Sequence, residues 1–167
     1  RLKEYITIMQ KVFAREGPLE FDGVHYQMPY KGEHSVGLGK PLKSILHAKN
    51  HVPIYTGAIK PKSLEFAAEN IDGVFPIWMN PERFDLFEEP IMAGLKKAGR
   101  TLADFDMAPV VPTIVGDDVD ACRNMVKGML SLYIGGMGAR GQNFYTAYAS
   151  ELGYPDDAIK IQDLYLD

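Results

Sequence analysis

Between Val52 and Ser131 the chain alternates three times between a short apolar run and a longer stretch with helical spacing. This rhythm restricts the fold more than any other feature of the sequence. The apolar runs predict strands near 52–58, 74–78 and 107–115. Leu64, Ala67, Ala68 and Ile71 share one face of a helix over 61–70, and Pro61 suits its first turn, where a backbone N–H has no partner to lose. Asn80-Pro81 opens a second helix carrying Phe84, Phe87, Ile91, Leu95 and Ala98, ended by Gly99. Asp117 or Asp118 caps a third that runs to about Ser131. Nearly all-apolar strands separated by helices belong to a parallel sheet covered by helices. The expected class is therefore α/β, with the carboxyl ends of the three strands on the same side.

The flanks depart from this rhythm. Leu2, Tyr5, Ile6, Met9, Val12 and Phe13 recur at helical spacing, so residues 1–13 read as a helix broken by Gly17-Pro18. Leu19, Phe21, Val24, Tyr26 and Met28 flank Asp22-Gly23, a dipeptide suited to the positive φ angles of a tight hairpin turn, and predict a hairpin over 19–28 outside the parallel sheet. Residues 29–51 read as one long loop, punctuated by Gly32, Gly37, Gly39 and Pro41, of a length that is usually functional or disordered. At the other end, a glycine-rich stretch from Gly135 to Gly141 leads to short helical patterns around 144–152 and 155–165, an excursion from the βα rhythm. No capping residue precedes Arg1 and the chain stops within an apolar pattern, so both ends read as cut from something longer.

Bulk properties narrow the function classes. A formal net charge of -4 with no basic stripe argues against a nucleic-acid binder. The longest apolar runs are far too short to span a bilayer. The single cysteine, Cys122, has no internal disulfide partner, which fits a reducing cytoplasm.

Three stretches carry candidate chemistry. In the first, Thr56-Gly57-Ala58-Ile59-Lys60-Pro61, a strand runs into a helix; strand carboxyl ends gather ligands in parallel α/β folds, and helix N-termini attract anions. Gly57 and Ala58 leave room for close backbone approach, and Lys60 and Lys62 add positive charge. The other reading is an ordinary βα turn with solvated lysines. In the second, Ile77 and Trp78 end the next strand, where an aromatic either flanks a flat ring or packs in the core. In the third, Arg140 and Asn143 follow the glycines: Arg140 is suited to a carboxylate or phosphate, and a mobile surface loop is the alternative. His47 and His51 have metal-like spacing only if helical; in a loop with no third ligand they read as solvated. Cys122 lies mid-helix with no base nearby in sequence and is not read as a nucleophile.

Several stretches together resemble the bacterial luciferase-like monooxygenases, and within them the deazaflavin (coenzyme F420)-dependent oxidoreductases. They are Arg1-Leu2-Lys3-Glu4-Tyr5-Ile6, Phe21-Asp22-Gly23-Val24-His25-Tyr26, Val52-Pro53-Ile54-Tyr55, Ala67-Ala68-Glu69-Asn70-Ile71-Asp72-Gly73 and Lys97-Ala98-Gly99-Arg100. Gly135 to Tyr145 and Lys160-Ile161-Gln162-Asp163-Leu164-Tyr165 are similar to one branch. The resemblance implies a (β/α)₈ barrel that binds F420 or FMN at its C-terminal face. Residues 1–167 would be the incomplete C-terminal part of one such domain, with about three βα units, an N-terminal helix, a hairpin and the helical excursion. It implies that Thr56, Gly57, Ala58, Ile59 and Lys60 hold the cofactor's phosphate-bearing tail. Ile59 and Lys60 stand where many relatives have glycines. Ile77 and Trp78, with Arg140 and Asn143, become candidates for the substrate pocket. Ring contacts and acid-base groups fall to the N-terminal half.

The function expected is hydride transfer between a deazaflavin or FMN and a small organic substrate, by the parent protein, with this chain inactive alone. The alternatives are an FMN-dependent monooxygenase using oxygen and, from another class, a non-catalytic fragment or interaction module whose open edges a partner covers. The partners expected are the small-molecule substrate, the missing N-terminal half of the barrel and a possible second copy, with neither nucleic acid nor membrane.

Overall fold

A proline without an N–H shortens the parallel sheet of this protein. In a computed structural model describing residues 1–167, β3 (Tyr55–Thr56), β4 (Gly73–Val74) and β5 (Asp106–Met107) lie in that order, all parallel. Val74 pairs with Met107, and a further parallel bridge joins Ile77 to Val110. That register sets Pro76 opposite Pro109. The amides of Asp106 and Ala108 donate to the β4 segment, so that of residue 109 points away from it; Pro76, with no N–H to donate toward β5, interrupts the ladder after Val74 and Met107, and it resumes for one bridge. The strands expected near 52–58, 74–78 and 107–115 are therefore present, parallel and much shorter. The hairpin of β1 (Phe21–Asp22) and β2 (Gln27–Met28) is antiparallel and separate from this sheet.

The chain divides into two compact units, the first comprising residues 1–79 and 84–110. Its helices are α1 (Leu2–Ala14), α2 (Pro61–Asn70) and α3 (Asp85–Ala98). Leu64, Ala67 and Ala68 of α2 and Phe87, Ile91 and Leu95 of α3 are completely buried. Gly94 lets the helices approach closely: a Cβ there would strike the Glu65 carbonyl oxygen and come within 2.9 Å of the Ala68 Cβ. Lys97 and Glu65 form an ion pair between the same two helices. The α3 helix begins later than the sequence predicts. Asn80 accepts from the Glu82 N–H and caps a short 3₁₀ turn over Pro81–Arg83 instead. Gly99 closes α3 in the left-handed conformation, and Arg100 turns back to donate to the carbonyls of Ala68 and Ile71 at the end of α2.

The hairpin turn also differs from expectation. Asp22 pairs with Gln27, leaving residues 23–26 as a four-residue loop, and Gly23 is not left-handed. Its loop amides are held by the Glu4 carboxylate of α1, which accepts from the N–H groups of Val24 (3.1 Å), His25 (2.9 Å) and Tyr26 (3.0 Å). A Cβ on Gly23 would collide with that carboxylate, so the glycine is needed for close approach rather than for its φ angle. The His25 amide bond does most to hold the Glu4 carboxyl below its ordinary range. A carboxyl depressed in the folded state adds stability above its unfolded pKa and loses it as pH falls through the folded one. Glu4→Gln is accordingly expected to lower the urea midpoint at pH 7. The gap to the parent chain should narrow as pH falls below the ordinary glutamate value of about 4.3 and through the lowered folded-state one, as Glu4 becomes protonated. A gap unchanged between pH 7 and pH 3 would show that the carboxylate charge is not what holds the loop.

The second unit comprises residues 80–83 and 111–167. Asp118 caps α4 (Val119–Leu130) by accepting from the N–H groups of Asp120 and Ala121. The helix does not stop near Ser131. It widens into a π-helical turn over Ser131–Gly136, which takes in the first two glycines of the stretch read as loop. Tyr165 of α6 (Pro155–Leu166) lies against both: a Cβ on Gly135 or Gly136 would come within 2.5 Å of its side chain. Residues 29–51 contain no helix and a single bridge, from Leu42 to Leu19. No helix is long and apolar enough to cross a membrane.

Candidate functional site

At the amino ends of the parallel strands the side chains serve structure. Asp72 accepts the Ile54 N–H at 2.7 Å through one carboxylate oxygen and meets His51 Nε2 at 2.6 Å through the other. Tyr55, Gly73 and Asp106 stand in register, and the Tyr55 ring crosses Gly73 to donate its hydroxyl to Asp106 Oδ2 at 2.8 Å. A Cβ on Gly73 would collide with that ring. The hydrogen bond to Asp106, reinforced by burial and by the negative charges of Asp106 and Asp72, raises the Tyr55 pKa and keeps the phenol protonated. Neither histidine is simply solvated: His51 pairs with Asp72, and His47 takes the Arg15 guanidinium. No group of three or more His, Cys, Asp or Glu side chains is arranged to hold a metal.

The carboxyl ends are built differently. After β3 the turn alternates in burial: Gly57 is exposed, Ala58 and Ile59 are packed into the core, and Lys60 is half-buried at the N-cap of α2. Ala58 and Ile59 are buried as whole residues and anchor the turn. A Cβ placed on Gly57 would meet nothing within 4 Å, so the space above it is open. Pro61 occupies the first helical position, and the Lys60 carbonyl accepts from Ser63 through both its N–H and its hydroxyl. An open glycine slot and a lysine at a helix N-terminus suit an anion. At the neighbouring strand end, Ile77 pairs with Val110 and Trp78 has φ 50°.

The other two candidates lie in the second unit, away in the chain from this turn. Arg140 is half-exposed and binds Asp163 Oδ1 through Nε at 2.9 Å and Asp167 Oδ1 through Nη2 at 2.5 Å, so its charge already faces two carboxylates of α6 and its neighbour. Asn143, expected at a pocket, is instead buried and fully hydrogen-bonded. It accepts from the N–H groups of Tyr145 and Thr146 at the start of α5 (Phe144–Glu151) and donates to the carbonyls of Tyr133 and Ile134. Sequence reasoning missed Asp72, Arg100 and the Tyr55–Asp106 pair. Asp72 and Arg100 stood inside stretches that carried the family resemblance, and their part is to tie strands and helix ends together.

The whole chain, residues 1–167, matches the family described as luciferase-like monooxygenase. The chain belongs to that family. It is 36% identical over 168 residues to a Mycobacterium tuberculosis protein named as a coenzyme F420-dependent oxidoreductase, covering 99% of this chain and 48% of that one. It is 38% identical over 85 residues to the 5,10-methylenetetrahydromethanopterin reductase of Archaeoglobus fulgidus, covering 51% of this chain and 26% of the relative. Among solved structures, the coenzyme F420-dependent tetrahydromethanopterin reductase of Methanopyrus kandleri superposes with a TM-score of 0.61 at 23% identity, over 95% of this chain and 47% of that one. An F420-dependent secondary alcohol dehydrogenase gives 0.58 at 16% identity, over 97% of this chain and 42% of the other. The luciferase-like chain thus spans about half the length of the first of these relatives. Its three parallel strands and their helices are part of a (β/α)₈ barrel, and they do not close one by themselves.

Proposed function

We propose that this chain is the C-terminal part of an oxidoreductase that transfers hydride between coenzyme F420 and a small organic substrate. The name of the Mycobacterium relative supports F420 over FMN. The observation that carries the reading on this chain is the turn Thr56–Lys60, an open glycine slot beside a lysine-bearing helix N-terminus at the carboxyl end of a parallel strand. When bound, the deazaflavin ring supplies the hydride acceptor or donor. Thr56, Gly57, Ala58 and Ile59 form the turn against which its phosphate-bearing tail is held, with Gly57 as the exposed point of approach, and Lys60 adds positive charge. Ile77 and Trp78 border the pocket in which the substrate is oriented.

The test is made in the complete protein. Lys60→Ala is expected to weaken F420 binding about tenfold, or ~1.4 kcal/mol, with the deficit shrinking at high salt. Gly57→Val is expected to weaken binding as well, by filling the slot, without that salt dependence. Unchanged affinity in both variants would reduce the turn to ordinary βα architecture. The 167-residue chain alone lacks the half to which the family resemblance assigns the ring contacts, so it turns over no substrate and binds F420 no better than sub-millimolar. Micromolar binding in a fluorescence titration would overturn that part.

A further inference from the structure

Gln10, Phe13 and Ala14 share one face of α1, three and four residues apart. Together with residues 48–54, which lead into β3, they enclose a cavity of about 410 Å³. That volume lies within the range of small-molecule sites, about 300–1,000 Å³. The cavity belongs wholly to the first unit and sits at the amino end of β3, where Ile54 forms part of its wall. The turn Thr56–Lys60 follows the opposite, carboxyl end of the same strand. The two places are therefore distinct.

Phe13, Val52 and Ile54 make the wall apolar, and Gln10, Asn50 and His51 interrupt it. The Gln10 amide already donates to the Asn70 carbonyl. His51 is placed to choose a ligand. Its Nε2 meets Asp72 Oδ1 at 2.6 Å, while the other Asp72 oxygen is fixed by the Ile54 N–H at 2.7 Å. A carboxylate only accepts, so Nε2 carries the shared hydrogen and the neutral ring keeps its lone pair on Nδ1. The His51 side chain is 73% exposed and makes no other hydrogen bond. The Asp72 charge behind the ring polarises it and makes Nδ1 a stronger acceptor. That same charge disfavours an anion, and no lysine or arginine lines the cavity to offset it. An apolar wall with one strong acceptor suits a neutral ring that carries a donor hydroxyl.

We propose that this cavity is a second small-molecule site, which takes a neutral phenol whose hydroxyl donates to His51 Nδ1. Asp72 is a positioning residue: it holds the His51 ring and fixes which nitrogen accepts. The proposal does not rest on the reading of the Thr56–Lys60 turn.

The test is a fluorescence titration of the complete protein with 2-naphthol and two analogues of the same shape. One is 2-methoxynaphthalene, which has no O–H; the other is 2-naphthoate, an anion. Naphthol is expected to bind saturably at sub-millimolar concentration, about fivefold or more tighter than either analogue. His51→Leu should abolish the preference, leaving naphthol and its ether with equal affinity, because the apolar wall remains. Phe13→Trp narrows the cavity without touching His51 and should weaken naphthol and the ether alike, by about fivefold. This second variant carries the test if His51→Leu does not fold. Unsaturable binding, equal or tighter binding of the ether or the naphthoate, a preference that survives in His51→Leu, or naphthol affinity unchanged in Phe13→Trp would each overturn the proposal. No probe carries a phosphate and F420 is absent from the titration, so this result and that of Lys60→Ala stand or fall separately.

Discussion

Replacing Phe87 with alanine is expected to cost about 3–5 kcal/mol of stability, the usual range for emptying a fully buried aromatic site. Phe87 has no exposed surface and shares the face of α3 with Ile91 and Leu95, opposite Leu64, Ala67 and Ala68 of α2, all equally buried. Collapse into the space is restricted, because Gly94 already brings α3 against the Glu65 backbone and the helices cannot come closer there. Phe87→Leu keeps much of the volume and should cost less than half as much. The check is the denaturant midpoint, read with amide exchange in α2, since Phe87 belongs to the first of the two compact units and a signal from α2 reports on that unit. A loss below 1 kcal/mol for Phe87→Ala would mean that the core is not closed around this ring.

The parts of the fold that periodicity could reach are those whose stability comes from burial. The faces of α2 and α3, the parallel order of the strands and the separate hairpin all follow from where apolar residues recur. Strand length does not, because it depends on donors: Pro76 reads as an acceptable residue in an apolar run, and only the register shows that its missing N–H falls on the β5 side and breaks the ladder. Gly23 misled for a related reason. A glycine after aspartate suggests a tight turn, but here it makes room for a carboxylate twenty residues earlier in the chain. At the candidate site, the turn Thr56–Lys60 was legible because a strand running into a helix announces itself locally. The commitments of Arg140 to Asp163 and Asp167 were not, since those partners lie more than twenty residues away.

Asn143 shows how one polar residue can hold a whole unit, and its loss is the second large effect expected. The side chain uses all four of its hydrogen-bonding positions while only 3% exposed: its oxygen caps α5 and its amide bridges the carbonyls of Tyr133 and Ile134 in the π-helical turn. Asn143 thus ties the end of the π-helical turn to the start of α5. Ile134 O also accepts from the Thr146 hydroxyl. Removing a helix cap costs about 0.5–2 kcal/mol and each lost hydrogen bond about 0.5–1.5 kcal/mol, so with the two bonds to Tyr133 and Ile134 Asn143→Ala is expected to destabilise the second unit by about 2–4 kcal/mol. Asn143→Asp separates the two roles. It keeps a capping oxygen but has no N–H groups and turns a carboxylate toward two carbonyls, so it should be at least as damaging as alanine at neutral pH. A cap alone would make aspartate nearly neutral. Thermal melting followed by helical circular dichroism, with amide exchange at Tyr145 and Thr146, distinguishes these outcomes. An Asn143→Asp chain as stable as the parent would mean that the bridge to Tyr133 and Ile134 contributes nothing. The π turn would then owe its shape to Tyr165 packed on Gly135 and Gly136 alone.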